Sequence, residues 1–314
     1  MKRLALLLFM LLMAATVGTV SMAYRRDMQE IRSRVAAGAT IAETAFGPIA
    51  YASGGDGPAI LAIHGAGGGY DQGQLLAEAF LSDGNRWISP SRFGYPGTPL
   101  PADASTAAQA DAFAALLDAL GQQRVSIIAM SGGVPPALQF AFRYPERTRA
   151  LVLLSLAPFA PLTAEEQKLP VPNWLYDRLF AADLPFWAAI RLWPRALAPL
   201  FDARAELTRK MTKSEGVFLD AMIAAFLPVS LRQKGLRNEG AAIEPAAAIE
   251  LTAINAPMLI VQARDDRITP FSTAIFVAEG VGDAETLYLG TGGHLLLGHH
   301  DAIRQRIASF LAAH

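Results

Sequence analysis

Ser131 lies in Ala129-Met130-Ser131-Gly132-Gly133. The apolar run Val125-Ser126-Ile127-Ile128 leads into it, and a helix-like stretch, Pro136 to Tyr144, follows. A serine at the tip of a strand, with small residues two positions to either side and a helix behind, has the layout of a nucleophile elbow. The turn is so sharp that only Gly or Ala fits those flanking positions. It holds the serine in a strained backbone conformation that costs about 1–3 kcal/mol and lifts the hydroxyl clear of the sheet. Ser53, Ser82 and Ser214 also have Gly two residues later, but Tyr51, Phe80 and Thr212 stand two before them and are too large. The competing reading of Ser131 is an ordinary loop serine.

A serine hydroxyl is a weak nucleophile until a base takes its proton, and histidine suits neutral pH. A carboxylate must then orient the imidazole and stabilise its charged form. The chain has five histidines: His64, His294, His299, His300 and His314. His294, in Gly292-Gly293-His294, follows the strand-like run Thr286–Leu289, and Asp265 and Asp266 follow the run Met258–Gln262. Neighbouring parallel strands end at one edge, so Ser131, one of the two aspartates and His294 can converge there. The acyl oxyanion needs backbone donors. Gly132 N–H, next after the serine, is one. The second is expected from His64-Gly65-Ala66-Gly67-Gly68-Gly69, after the run Ile60–Ile63, with Ala66 as the choice. A phosphate-binding reading of this loop fails. It lacks a Gly-Lys-Ser/Thr ending, and Tyr70 stands where a dinucleotide fingerprint needs glycine. His64 is expected to stabilise its own loop, and Asp265 to be a solvated neighbour of Asp266. His299-His300-Asp301 could suggest a metal, but adjacent histidines at a helix start are more often capping or surface residues.

The elements that must position these groups alternate. Strand candidates are Thr40–Thr44, Ile49–Ala52, Ile60–Ile63, Arg86–Ser89, Val125–Ala129, Ala150–Leu154, Met258–Gln262 and Thr286–Leu289. Several are short continuous apolar runs, as expected for strands buried on both faces. The clearest helix between them is Thr106–Leu120, with Ser105 as N-cap and Gly121 as its stop. Strand–helix alternation implies a mainly parallel sheet covered on both sides. The alternation breaks between about Pro158 and Pro245, a segment that holds Trp174, Trp187 and Trp193 and an apolar run Ala181–Leu200. It reads as a helical cap over the C-terminal edge of the sheet; more core helices is the alternative.

On these motifs the chain resembles the α/β-hydrolase fold superfamily, and within it the cap-bearing, esterase- and lipase-like serine hydrolases. His64-Gly65 resembles the superfamily's oxyanion loop, and Ser91-Arg92-Phe93-Gly94-Tyr95-Pro96-Gly97-Thr98 the loop after the fourth strand. Tyr144-Pro145-Glu146-Arg147 resembles the lead into the sixth strand, and Ala263-Arg264-Asp265-Asp266-Arg267-Ile268-Thr269-Pro270 the acid loop. The resemblance covers about Ile41 to the C-terminus outside the cap. It implies the chain order Ser, Asp, His. In the acid loop the Asp stands three after a small residue and four before Pro, which selects Asp266. The departures are Ala129 and Ala263 in place of glycines. Ser89 or Ser91 stands near a usual Asp, and Phe93 follows Arg92, which alters the cleft wall. Serine as nucleophile argues against haloalkane dehalogenase and epoxide hydrolase chemistry.

The expected architecture is an α/β-hydrolase fold with a mainly parallel eight-stranded sheet, a helical cap insertion and an N-terminal hydrophobic helix. The expected divisions are 1–24 (anchor or signal segment), 25–39 (connecting helix), 40–157 with 246–314 (core) and 158–245 (cap). The sequence of 314 residues has no cysteine, which excludes disulfides and thiolate chemistry, and its net charge of −1 gives no electrostatic case for nucleic acid. Leu4 to Ala23 carries no charge and is long enough to cross a bilayer, with Lys2, Arg3, Arg25 and Arg26 on its flanks. Ser21-Met22-Ala23 is a possible cleavage site, so a signal peptide leading to a secreted or periplasmic protein is the rival. The Arg pair just past it favours an uncleaved single-pass anchor. The expected function is hydrolysis of a small apolar acyl substrate, a carboxylic ester by default, with no cofactor. Carbon–carbon hydrolysis, acyl transfer and cofactor-free perhydrolysis use a similar triad, and a non-catalytic ligand-binding or sensing protein on the same scaffold is the alternative of a different class.

Overall fold

The computed structural model of the protein describes residues 2–157, 173–241 and 249–314. Its eight strands are β1 (Thr40–Thr44), β2 (Gly47–Gly54), β3 (Ala59–Ile63), β4 (Arg86–Pro90), β5 (Val125–Met130), β6 (Thr148–Leu154), β7 (Met258–Ala263) and β8 (Glu285–Leu289). They form one sheet in the order β1-β2-β4-β3-β5-β6-β7-β8. β1 pairs antiparallel with β2 and β2 with β4, while every later pairing is parallel. All eight expected strands are present.

Because side chains alternate across a strand, each apolar run supplies two layers at once. Ile60, Ala62, Ile128, Met130, Val152 and Leu154 face one layer, with Phe80 and Ile307. Leu61, Ile63, Ile127, Ala129, Leu151 and Leu153 face the other, with Phe113, Leu117 and Leu138. The first of these layers contains α2 (Tyr70–Phe80) and α11 (His300–Ala313). The second contains α3 (Thr106–Ala119), α4 (Val134–Arg143) and α10 (Phe271–Val281). At the start of α3 the Ser105 side chain accepts from Ala108 N–H, and Gly121 turns the chain away at φ 66°.

The apolar N-terminal segment and the expected connecting helix are one element, α1 (Lys2–Ala37), without a break at 24/25. Its first half is exposed, and it is long and apolar enough to cross a membrane, a property that signal sequences share. Its second half is docked. Met28 and Val35 are buried, and the Tyr70 hydroxyl donates to Val35 C=O at 2.5 Å. The polar spacing Arg26, Glu30, Arg34 concealed this buried stripe.

Between β6 and β7 lie α5 (Asn173–Phe180), α6 (Asp183–Leu192), α7 (Ala205–Thr208), α8 (Lys213–Ala225) and α9 (Gln233–Ala241). This is the expected cap insertion; its boundaries at 158 and 245 fall outside the described residues. The apolar run 181–200 is not one helix: α6 stops at Leu192, ahead of Pro194, and a short 3₁₀ turn begins at Ala198. Proline denies the helix a donor and disfavours helical geometry in the residue before it. α6 is bound to the base of α1: Arg32 Nη2 donates to Asp183 Oδ2 at 2.6 Å, and Trp187 Nε1 to Asp27 Oδ2 at 3.2 Å.

Candidate active site

β5 delivers Met130 in extended conformation, and Ser131 then takes φ 53°, a left-handed value costly for a residue with a Cβ. Its surroundings explain the small neighbours. A Cβ on Gly133 would lie 2.7 Å from both the Ile63 and His64 carbonyl oxygens, and one on Gly65 would lie 3.0 Å from Ser131 Cβ. Ala129 is fully buried and tolerated. α4 begins immediately behind this turn, so the serine stands at the head of a helix.

Three residues past the end of β7, Asp266 is held by its own loop. Its Oδ1 accepts from Ile268 N–H at 2.8 Å and Thr269 N–H at 3.0 Å. Its Oδ2 accepts from Thr269 Oγ1 at 2.6 Å and Gln262 Nε2 at 3.1 Å. The same oxygen lies 2.9 Å from His294 Nδ1, in the loop after β8. Burial alone would raise the Asp266 carboxyl, but the bonds and charge of His294, then those of Thr269, hold it below the ordinary value. A carboxylate here requires Nδ1 to carry the proton, which leaves Nε2 with its lone pair. His294 is also fixed from its main chain, where its carbonyl accepts from Ser155 Oγ at 2.7 Å.

Ser131, His294, Gly65 and Ala66 line one cavity of about 200 Å³. Its remaining walls are largely apolar, with Phe180, Phe201, Met222, Phe226, Leu236 and Leu295 among them. Ala66 N and Gly132 adjoin: a Cβ on Gly132 would lie 3.2 Å from Ala66 N. The structure thus brings Ser131, Asp266, His294, Ala66 and Gly132 to the C-terminal edge of the parallel strands. Among the described residues no group of three or more His, Asp or Glu could hold a metal ion. His300 is the first residue of α11 and is buried against Phe80 and Phe218.

Three expectations change. His300 is neither a capping nor a surface residue: it is buried, and its Nε2 donates to Leu295 C=O at 2.8 Å. Asp265 is not a solvated neighbour: it accepts from Arg204 Nη2 at 2.8 Å and from Gly293 N–H at 2.9 Å. Through Arg204 the insertion therefore grips the acid loop. His64 does more than hold its own loop. Its Nδ1 bonds Gly65 C=O at 2.7 Å, and its Nε2 accepts from Arg92 N–H at 3.0 Å, joining the loops after β3 and β4. Burial and then the Arg92 charge push its imidazole well below the ordinary histidine value.

Sequence reasoning missed Ser155, Glu215 and Glu239. Glu215 closes a capping box with Thr212 at the start of α8, and its Oε1 also accepts from Gly298 N–H at 2.9 Å and His300 N–H at 3.0 Å. The Thr-x-x-Glu spacing signals the cap but not the second role. Glu239 on α9 pairs with Arg92 and accepts from the Tyr95 hydroxyl at 2.5 Å. Burial and then the Glu239 charge raise the Tyr95 phenol well above its ordinary value.

A parallel-edge serine, an Asp–His pair and a glycine-rich loop on this sheet define an α/β hydrolase. The chain belongs to the alpha/beta hydrolase fold family, whose model matches residues 58–301. It is 31% identical over 264 residues to the uncharacterized hydrolase YcgS of Bacillus subtilis (strain 168), covering 80% of this chain and 89% of that one. It is 30% identical over 263 residues to the 2-hydroxymuconate semialdehyde hydrolase of Pseudomonas putida, covering 82% and 88%. Among solved structures, an alpha/beta hydrolase fold protein from Nakamurella multipartita superposes with a TM-score of 0.66 at 26% identity, covering 88% of this chain and 99% of that one. The protein is a hydrolase of this family.

Proposed function

We propose that the protein is a serine hydrolase that cleaves a short, apolar carboxylic ester. Ser131 Oγ attacks the acyl carbonyl while His294 Nε2 takes its proton. Asp266 holds the imidazole and stabilises its charged form. The N–H groups of Gly132 and Ala66 receive the oxyanion, each such donor being worth about 2.7–4 kcal/mol. The tetrahedral intermediate collapses, His294 returns the proton to the departing alcohol, and Ser131 keeps the acyl group. Water, deprotonated by His294, then attacks the acyl-enzyme and releases the acid and free Ser131.

The observation that supports this reading most is the His294 Nδ1–Asp266 Oδ2 bond of 2.9 Å beside a cavity that the strained Ser131 also borders. The volume of about 200 Å³ favours a small acyl group, since sites for drug-sized ligands run to about 300–1,000 Å³. Ser131→Ala is expected to abolish labelling by a fluorophosphonate probe and ester turnover alike; labelling that persisted would refute the assignment.

One other reading has a specific observation behind it. The 2-hydroxymuconate semialdehyde hydrolase relative favours carbon–carbon bond hydrolysis on the same residues. Product analysis separates the two, because ester cleavage releases an alcohol. For the N-terminal half of α1 the proposal is an uncleaved membrane anchor. Full-length protein labelled by the probe is expected in the membrane fraction, and labelled protein cleaved after Ala23 in the soluble fraction would overturn the anchor.

A further inference from the structure

Beside the cavity lies a polar cluster that the hydrolytic scheme leaves unused. Arg92, in the loop after β4, has its side chain only 8% exposed. Its guanidinium faces the Glu239 carboxylate of α9: Nη2 donates to Oε1, and Nη1 to Oε2 at 3.3 Å. The Tyr95 hydroxyl also donates to Oε1, at 2.5 Å, and itself accepts from Gly67 N–H at 3.1 Å. A two-pronged guanidinium with a hydroxyl beside it is a carboxylate receptor. This receptor adjoins the oxyanion donors. The point that a Cβ on Gly132 would take lies 2.7 Å from Glu239 Oε2, 3.2 Å from Ala66 N and 3.3 Å from Arg92 Nη2. Leu236, one turn before Glu239 on α9, lines the cavity itself.

We propose that Arg92 and Tyr95 form an anion subsite next to the nucleophile, that Glu239 is its built-in occupant, and that this occupancy restricts the protein to acyl chains without a carboxylate. The inference rests on the reading that Ser131 acts on acyl substrates. A substrate carboxylate that reached Arg92 would have to displace Glu239, leaving a half-buried carboxylate without its cation. Otherwise it would have to sit against a like charge. Both are unfavourable in a site removed from water. An uncharged chain meets largely apolar walls. Glu239 therefore acts by exclusion, the repulsive half of specificity.

The test compares methyl pentanoate with monomethyl glutarate, acyl chains of equal length that differ in a terminal carboxylate, by acid release on the full chain. The wild-type protein is expected to favour methyl pentanoate. Glu239→Ala is expected to move the kcat/KM ratio at least about tenfold toward the glutarate ester, because Arg92 is then free to bind its carboxylate. Glu239→Gln, which keeps the shape, is expected to move it part of the way. Glu239→Ala combined with Arg92→Ala is expected to reverse the gain. Binding is read separately: free glutarate is expected to raise the melting temperature of Glu239→Ala and not of the wild type. Equal wild-type rates on the two esters, a ratio and thermal shift unchanged in both single variants, or a gain that survives loss of Arg92 would overturn the proposal. If the wild type cleaves neither ester, the ester reading fails by itself, and the glutarate thermal shift still decides the subsite.

Discussion

At the scale of residues, Asp266 shows how a carboxylate is committed to one task. Four donors from its own loop and strand, Ile268, Gln262 and the two groups of Thr269, hold its oxygens before His294 is counted. Asp266→Asn would keep the shape but offer His294 Nδ1 a donor in place of an acceptor, which favours the wrong tautomer. Under the serine hydrolase reading, kcat is expected to drop by about 10⁴ while the melting temperature changes little, as measured with ester turnover and calorimetry. The sequence made Ser131 and His294 legible because a small-residue turn and a Gly-Gly-His triplet each follow an apolar run. It did not show that Asp265 is engaged, since its partner Arg204 lies 61 positions away in the insertion. Glu239 was hidden for the same reason, 147 positions from Arg92 on a helix whose other residues carry no motif.

Elements lend those residues their positions through reciprocal ion pairs. A core arginine, Arg92, meets an insertion glutamate, Glu239, and an insertion arginine, Arg232, meets a core aspartate, Asp71. Arg232 is fully buried; its Nη2 lies 2.6 Å from Asp71 Oδ2, and its Nη1 donates to Gly68 C=O. Arg232 thereby holds Gly68 of the glycine-rich loop after β3, and Tyr95, which shares Glu239 with Arg92, accepts from the neighbouring Gly67 N–H. Asp71→Ala would leave the Arg232 cation buried without a counter-charge, so a loss of about 3–5 kcal/mol is expected in urea unfolding. A loss below about 1 kcal/mol would mean that water reaches Arg232. The inner strands β3, β5, β6 and β7 were readable because burial on both faces writes itself as nearly continuous apolar runs. The insertion was readable only as helical, because its helix ends depend on contacts with the core. Leu192 ending α6 and Thr212 capping α8 are the exceptions, being set by nearby Pro194 and Glu215.

Over the whole molecule, two buried histidines link folding to pH. His64 and His300 both lie below the ordinary value of 6.5, in each case first through burial. A group whose folded pKa is depressed binds more protons when unfolded. The stability it supports is therefore complete above about 6.5 and is lost as pH falls from there toward the folded value. The melting temperature is expected to be flat from pH 8 to 7 and to decline below 6.5, with a shallower decline in His300→Gln. The depressed Asp266 carboxylate acts in a separate window, since its contribution is present above 3.8 and disappears only as pH falls through its lower folded value. A midpoint independent of pH between 7 and 5 would rule out the histidine coupling.

The unbroken run of α1 has a mechanical meaning. With 36 residues at about 1.5 Å each it is a rod of about 54 Å. Its lower end is bolted to the sheet side at Tyr70 and to the insertion at Asp183, with no hinge between shaft and body. Under the anchor proposal, tilting the shaft in lipid would swing the reaction chamber with it. The height of its mouth over the bilayer would follow the depth and tilt of the shaft rather than the wandering of a flexible tether.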